Sequence, residues 1–303
     1  MYFIFAFCSA SQSTIEFNPS SGERTMAIFF GLLSAIVWGG GDFVGGLASR
    51  RAGAWRAVFY AEIVGLVLLL AALAIYRERL ISTRGLLLGA AAGAIGSLGL
   101  LALYRAMQVG KMSIAAPVSA LLAALLPVLV GALTVGLPPL TQIGGVWLAL
   151  LSIWLVSQTD VDAKPRLARL SDLRLPLLAG IGFGTYFILI HGVAQEATLW
   201  PMIASRTGGT LVLVAVLLLR RESVKIPREG WPLVMMSGAL DVGGNLFYVL
   251  AAQAGRMDIA AVLSSLYPGM TALLAWFVLK ESISRKQRLG ILAALVAIIL
   301  MTI

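Results

Sequence analysis

Ten apolar runs in a chain of 303 residues leave few ways to fold. They lie at roughly 26–47, 57–76, 85–107, 112–136, 140–157, 175–195, 198–219, 232–254, 258–279 and 288–303. About 20 apolar residues in a helix cross the hydrocarbon core of a bilayer. Lipid offers no partner to an unpaired backbone group, so only helices and closed barrels can span it. These runs are long, rich in Leu and Ala, and lack two-residue alternation, so they read as helices rather than barrel strands. The fifth and tenth are short.

Composition agrees and removes several function classes. Hydrophobic residues make up 59% of the chain and charged residues 12%, against roughly 25% charged in soluble domains. Mean hydropathy is +0.93. One His and one Cys leave little for metal or thiol chemistry, so neither a metal nor a cofactor is expected. The net charge of +9 does not point to nucleic acid. Its basic residues sit in short gaps between apolar runs, where the positive-inside rule places them. The expected partners are the lipid bilayer and a small-molecule substrate.

The chain also repeats itself. "AMQVGKMSIAAPVSAL" from Ala106 and "AAQAGRMDIAAVLSSL" from Ala251 are identical at nine of sixteen positions when shifted by 145, and Lys111 falls on Arg256. The same shift puts Ser119 on Ser264, Gln142 on Gln287 and Gly145 on Gly290. Upstream the offset drifts by one, and "EIVGLVLL" from Glu62 lies against "RTGGTLVLV" from Arg206, with Gly65 on Gly209. Each half holds five spans. Five is odd, so the second half enters the membrane from the opposite side. The expected fold is an all-α integral membrane protein of ten transmembrane helices, built as two inverted five-helix repeats. That is a recurring plan of secondary transporters, with the substrate site near the bilayer midplane.

The expected organisation is a first repeat over 26–157, a polar linker over 158–174 and a second repeat over 175–303. Residues 1–25 stand outside the repeat. "MYFIFAFCSA" has no basic n-region and is too short to span, so this segment reads as a disordered tail or an over-extended gene start. Orientation is divided. Arg50, Arg51, Lys164, Arg166, Arg220, Arg221, Lys225, Arg285 and Lys286 share one set of gaps, and Arg77, Arg79 and Arg84 the other. The positive-inside rule then puts both termini outside.

"VGKMSIAAPVSALLAALLPVLVG" and the stretch from "LFYVLAAQAGRMDIAAV" to "LGILAALVAIIL" resemble the two EamA domains of the drug/metabolite transporter superfamily. Ser264, Ser265, Tyr267, Pro268 and Glu281 match the family signature, and "WGGGDFV" around Trp38 resembles its first-span opening. The first copy departs at Gly136, where the repeat would place a Glu, and at Leu122, which faces Tyr267. The resemblance implies a basket in which spans one to four and six to nine enclose a cavity, with five and ten outside. It also implies both termini inside, against the charge count.

Polar residues within spans are the site candidates, because a charge in mid-membrane costs a few kcal/mol and faces protein or water. Asp42 shares a helix face with Trp38 and Ser34; Asp241 shares one with Asn245 and Tyr248. Glu62, Arg206, His191, Tyr186, Ser264 and Tyr267 complete the set. Each also has a structural reading. Glu62 and Arg206 could snorkel to the interface or form an ion pair, His191 could be interfacial, and Asp42 and Asp241 could tie two helices together. Pro117, Pro127 and Pro268 fall inside spans and are expected to kink them.

No enzyme signature stands out. Catalytic Ser–His–Asp work would need His191 beside a nucleophile, and no phosphate loop is present. The expected function is a secondary carrier of small metabolites, amino acids or related compounds among them, across the cytoplasmic membrane by alternating access, in the direction of export. Asp42 and Asp241 would hold a cationic group or a coupling proton, and one chain would suffice. The alternative is a non-transporting membrane sensor or assembly partner.

Overall fold

The computed structural model describes residues 21–108, 112–156, 170–220, 224–279 and 285–302. Lys111, Glu281, Lys164, Arg166, Arg221 and most of the expected tail and linker lie outside them, and so does the side chain of Pro117. Every regular element among the described residues is helical. In chain order these are α1 (Ser21–Ala52), α2 (Ala54–Tyr76), α3 (Thr83–Gln108), α4 (Met112–Thr134), α5 (Leu140–Val156), α6 (Leu170–Ala194), α7 (Leu199–Arg220), a 3₁₀ turn (Arg228–Gly230), α8 (Trp231–Ala254), α9 (Met257–Ser264), α10 (Tyr267–Leu279) and α11 (Arg285–Thr302). Thus α1 and α6 begin where the sequence suggests tail and linker.

Ten runs give eleven helical segments, because the ninth is broken. Pro268 has no N–H to return to Ser264. Leu266 and Gly269 instead close 3₁₀-type bonds to Leu263 and Leu266, at 3.1 and 3.0 Å, and α9 and α10 part there. Among the described residues seven spans, one of them α9 and α10 taken together, are long and apolar enough to cross a membrane by length and composition. The shorter α5 has 17 residues and α11 has 18.

Contacts between loops fix the direction of each helix. Arg256, after α8, donates to the Gly136 carbonyl after α4 at 2.9 Å. Glu78, after α2, accepts from the Thr198 and Leu199 amides at the start of α7, at 2.9 and 2.8 Å. Ala27 near the start of α1 meets Gly255. These junctions form one face of the bundle. The opposite face carries the α1–α2 turn at Gly53, whose φ of 89° suits glycine, and the link into α8, where the Tyr60 hydroxyl donates to Val224 at 2.9 Å. So α1 runs away from the first face, and its counterpart α6 runs toward it. The two repeats are inverted.

The halves interleave. The most extensive packing pairs are α1 with α8, α3 with α6, α3 with α7, α4 with α6, and α5 with α11. Exchanging the halves turns α1–α8 into α6–α3, turns α3–α7 into α8–α2, and leaves α5–α11 unchanged, as a two-fold axis requires. Because each major contact joins opposite halves, neither repeat buries its own apolar face. Outward faces carry Leu133, Leu140, Leu219 and Phe277, each more than three-quarters exposed, as lipid-facing residues do. The α5–α11 pair packs at the side, with Ser152 donating to Gly290 at 2.8 Å.

Candidate functional site

Glu62 and Arg206 lie about a third of the way into α2 and α7, which enter from opposite faces, and their long side chains reach each other between the two helices. The side chains need room where the helices cross, and glycine supplies it. A Cβ on Gly65 would stand 3.2 Å from Arg206 Nε and 2.8 Å from Val242; a Cβ on Gly209 would meet Ser97 and stand 3.2 Å from Glu62 Oε2. Glycine one turn after each charged residue lets the opposite charge in.

The result is a buried network. Arg206 Nη1 lies 3.1 Å from Glu62 Oε2, and Nη2 pairs with Asp241. Ser97 donates to the other Glu62 oxygen at 2.7 Å. Asn245, one turn after Asp241 on α8, donates through Nδ2 to the Asp241 carbonyl at 2.6 Å and to its Oδ1 at 3.3 Å. The Tyr186 hydroxyl donates to Asn245 Oδ1. Glu62, Arg206 and Asn245 are all buried. In low dielectric a guanidinium between two carboxylates removes the charge each would otherwise leave unpaired.

This network forms one wall of a cavity of about 630 Å³, counting the space at its mouth. The lining comes from α1 to α4, α6 to α8 and α10, and none of it from α5 or α11. Trp38 and Phe187 stack with ring centroids 5.5 Å apart and make an aromatic wall. Asp42, one turn after Trp38, also lines the cavity. It has no hydrogen bond and no ion pair among the described residues. Asp241 and Tyr267 line the same cavity. The lining thus presents three carboxylates, Asp42, Glu62 and Asp241, to one guanidinium.

Of the residues singled out in the sequence, Trp38, Asp42, Glu62, Tyr186, Arg206, Asp241, Asn245 and Tyr267 line this cavity together. Three do not. Tyr248 is wholly buried behind the aromatic wall, where its hydroxyl donates to the Phe187 carbonyl at 2.9 Å. Ser264 is buried at the break after α9, and its hydroxyl has no partner among the described residues. His191 sits at the end of α6, near the charge of Asp258 and away from the cavity. Pro127 lies inside a continuous α4.

The sequence reading passed over other groups. Asp258 is buried and pairs with Arg256 at 2.9 Å. It is the first residue of the ninth run, where the sequence alone does not place it inside the protein. Ser97 reads as one small residue among glycines, although it directs Glu62. Glu78 and Glu196 looked like loop charges. Each in fact caps a helix of the other half: Glu78 the start of α7, and Glu196 the Ser82 amide before α3 at 3.0 Å.

Known proteins share this layout. A solved crystal structure, described only as that of a protein, superposes with a TM-score of 0.72, covering 91% of this chain and 96% of that one. At 14% identity the likeness concerns the fold. An uncharacterized protein of Methanocaldococcus jannaschii is 29% identical over 122 residues, which is 40% of this chain and 88% of that one. The EamA-like transporter family matches twice, over residues 25–158 and 173–303. With two matched repeats covering most of its length, the chain belongs to the EamA-like transporter family.

Proposed function

We propose that the protein is a secondary carrier that moves a small metabolite across the cytoplasmic membrane by alternating access, as a monomer and without an enzymatic step. One observation carries this reading. A cavity at the junction of two inverted repeats holds a half-buried carboxylate, Asp42, with no partner among the described residues, beside a network in which the other charges are paired. A charge inside a span without a partner is costly and persists where function needs it. Asp42 is the group that takes a cationic ligand or a coupling proton in turn. Glu62, Arg206 and Asp241 hold α2, α7 and α8 together around it.

The fold supports motion of this kind. The halves touch mainly through each other, so rocking one against the other opens the cavity toward one face and closes it toward the opposite one. The test is counterflow in liposomes with purified protein. Exchange of a labelled solute that saturates, responds to an imposed pH gradient and disappears in Asp42→Asn is the expected result. Binding without exchange would instead identify a sensor. Normal exchange in Asp42→Asn from pH 6 to pH 8 would remove Asp42 from the mechanism.

A further inference from the structure

The groups lining the cavity differ in what they have left to offer a ligand. Arg206 directs Nη1 to Glu62 and Nη2 to Asp241, and its Nε faces the backbone at Gly65. Asn245 donates to Asp241, Tyr186 donates to Asn245, and Ser97 donates to Glu62. Each of these groups therefore already serves a protein acceptor, and the charge of Arg206 is shared between two carboxylates. Asp42 has no donor among the described residues. A ligand that complements this surface brings N–H donors and positive charge, and it brings no carboxylate of its own.

Resting on the carrier reading above, we propose that the cavity takes small primary amines on an aromatic or branched apolar body, and discriminates against the amino acids that carry the same body. The ammonium sits at Asp42 with the body against the Trp38–Phe187 wall, where the indole face also favours a cation. An amino acid in the same seat puts a carboxylate on the carbon that bears the ammonium. That carboxylate would lie among Asp42 and Asp241, with Arg206 already held. The Tyr267 hydroxyl is a neutral donor in the lining, and it shares a 3.5 Å contact with Ser119. A neutral donor does not offset a full charge. Like charges at such distances in a partly shielded site weaken binding by at least about tenfold.

The experiment is counterflow with the full chain in liposomes, comparing tyramine with tyrosine, isoamylamine with leucine, and tyrosol as a neutral control. The expected result is half-saturation by each amine at a concentration at least about tenfold below that of its amino acid or of tyrosol. Equal or better exchange of the amino acids, or of tyrosol, overturns the amine assignment and leaves the carrier reading standing. Exchange of none of the five also overturns the amine assignment. Two variants test the residues. Asp42→Asn, or Asp42→Ser if the first does not fold, is expected to abolish exchange of the amines. Asp241→Asn frees Arg206 Nη2 and is expected to raise the exchange of amino acids relative to amines. Unchanged selectivity in both folded variants overturns the roles given to Asp42 and Arg206.

Discussion

Arg206 and Glu62 are counterparts in the repeat, and they touch each other, with Nη1 3.1 Å from Oε2. A two-fold axis between α2 and α7 brings equivalent positions together. Two acids or two bases there would repel, so the duplicated position must diverge. The surroundings diverge with it. By the 145-residue shift Ser97 corresponds to Val242 and Gly96 to Asp241. The first half thus supplies a hydroxyl to its own Glu62, and the second supplies a carboxylate to its own Arg206. The axis of symmetry is also where the protein is least symmetric.

Removing Glu62 is expected to cost a few kcal/mol, because Ser97 loses its acceptor and Arg206 keeps only Asp241 as a partner. Glu62→Ala should therefore lower the melting temperature by many degrees. Glu62→Gln keeps the acceptor for Ser97 and should lose less. Melting in detergent checks both. A Glu62→Ala protein as stable as the parent would mean that Asp241 alone satisfies Arg206.

Asp42 and Asp241 separate under the same measurement. Asp241→Asn weakens the hold on Arg206 and should destabilise by a few kcal/mol. Asp42→Asn breaks no hydrogen bond or ion pair among the described residues, so its stability should stay within about 1 kcal/mol of the parent. If both variants melt alike, Asp42 is a structural tie and its proposed ligand role is lost.

The class and the repeat were legible in the sequence because hydrophobic length and duplication are one-dimensional signals. Trp38, Asp42, Asp241 and Asn245 were found for the same reason, as polar residues at one-turn spacing in apolar runs. The pairing itself was not legible. Glu62 and Arg206 could be aligned as counterparts, but contact between them depends on where the axis passes. Tyr248 and Ser264 share helix faces or motifs with lining residues, yet neither is among them, since a face does not say what packs on it. Glu78 and Glu196 were invisible because a loop carboxylate gains its meaning from the helix end it meets, and that end lies in the other half.

Those two carboxylates lead to a prediction about the face they occupy. Glu78 accepts from three amides at the start of α7, Thr198, Leu199 and Trp200, and Glu196 holds Ser82 before α3. Removing an N-terminal cap costs typically about 1 kcal/mol. Glu78→Ala with Glu196→Ala should therefore loosen this face and favour conformations open toward it. With Cys8 replaced by Ser, a cysteine at Ser97 reports the change through its rate of labelling by a membrane-impermeant thiol reagent. Faster labelling from the side of this face, with none from the other, is expected. An unchanged rate would show that the caps serve folding alone.

The broken ninth span yields a prediction of opposite sign. The hydroxyls of Ser264 and Ser265 are fully buried and have no hydrogen-bond partner among the described residues. A buried polar group left unsatisfied costs about 1–3 kcal/mol, and deleting it recovers part of that. Ser264→Ala and Ser265→Ala should each leave stability unchanged or raise it, unlike most core substitutions. Neither serine lines the cavity, so exchange should be preserved. Ser119→Ala is the internal control, because Ser119 is the counterpart of Ser264 and does have a contact, with the Tyr267 hydroxyl at 3.5 Å. A drop in stability for Ser264→Ala would mean that its hydroxyl finds a partner in the membrane. Lost exchange at unchanged stability would put the break between α9 and α10 on the substrate path, with the hydroxyl and the carbonyls freed by Pro268 as contacts made only in another conformation.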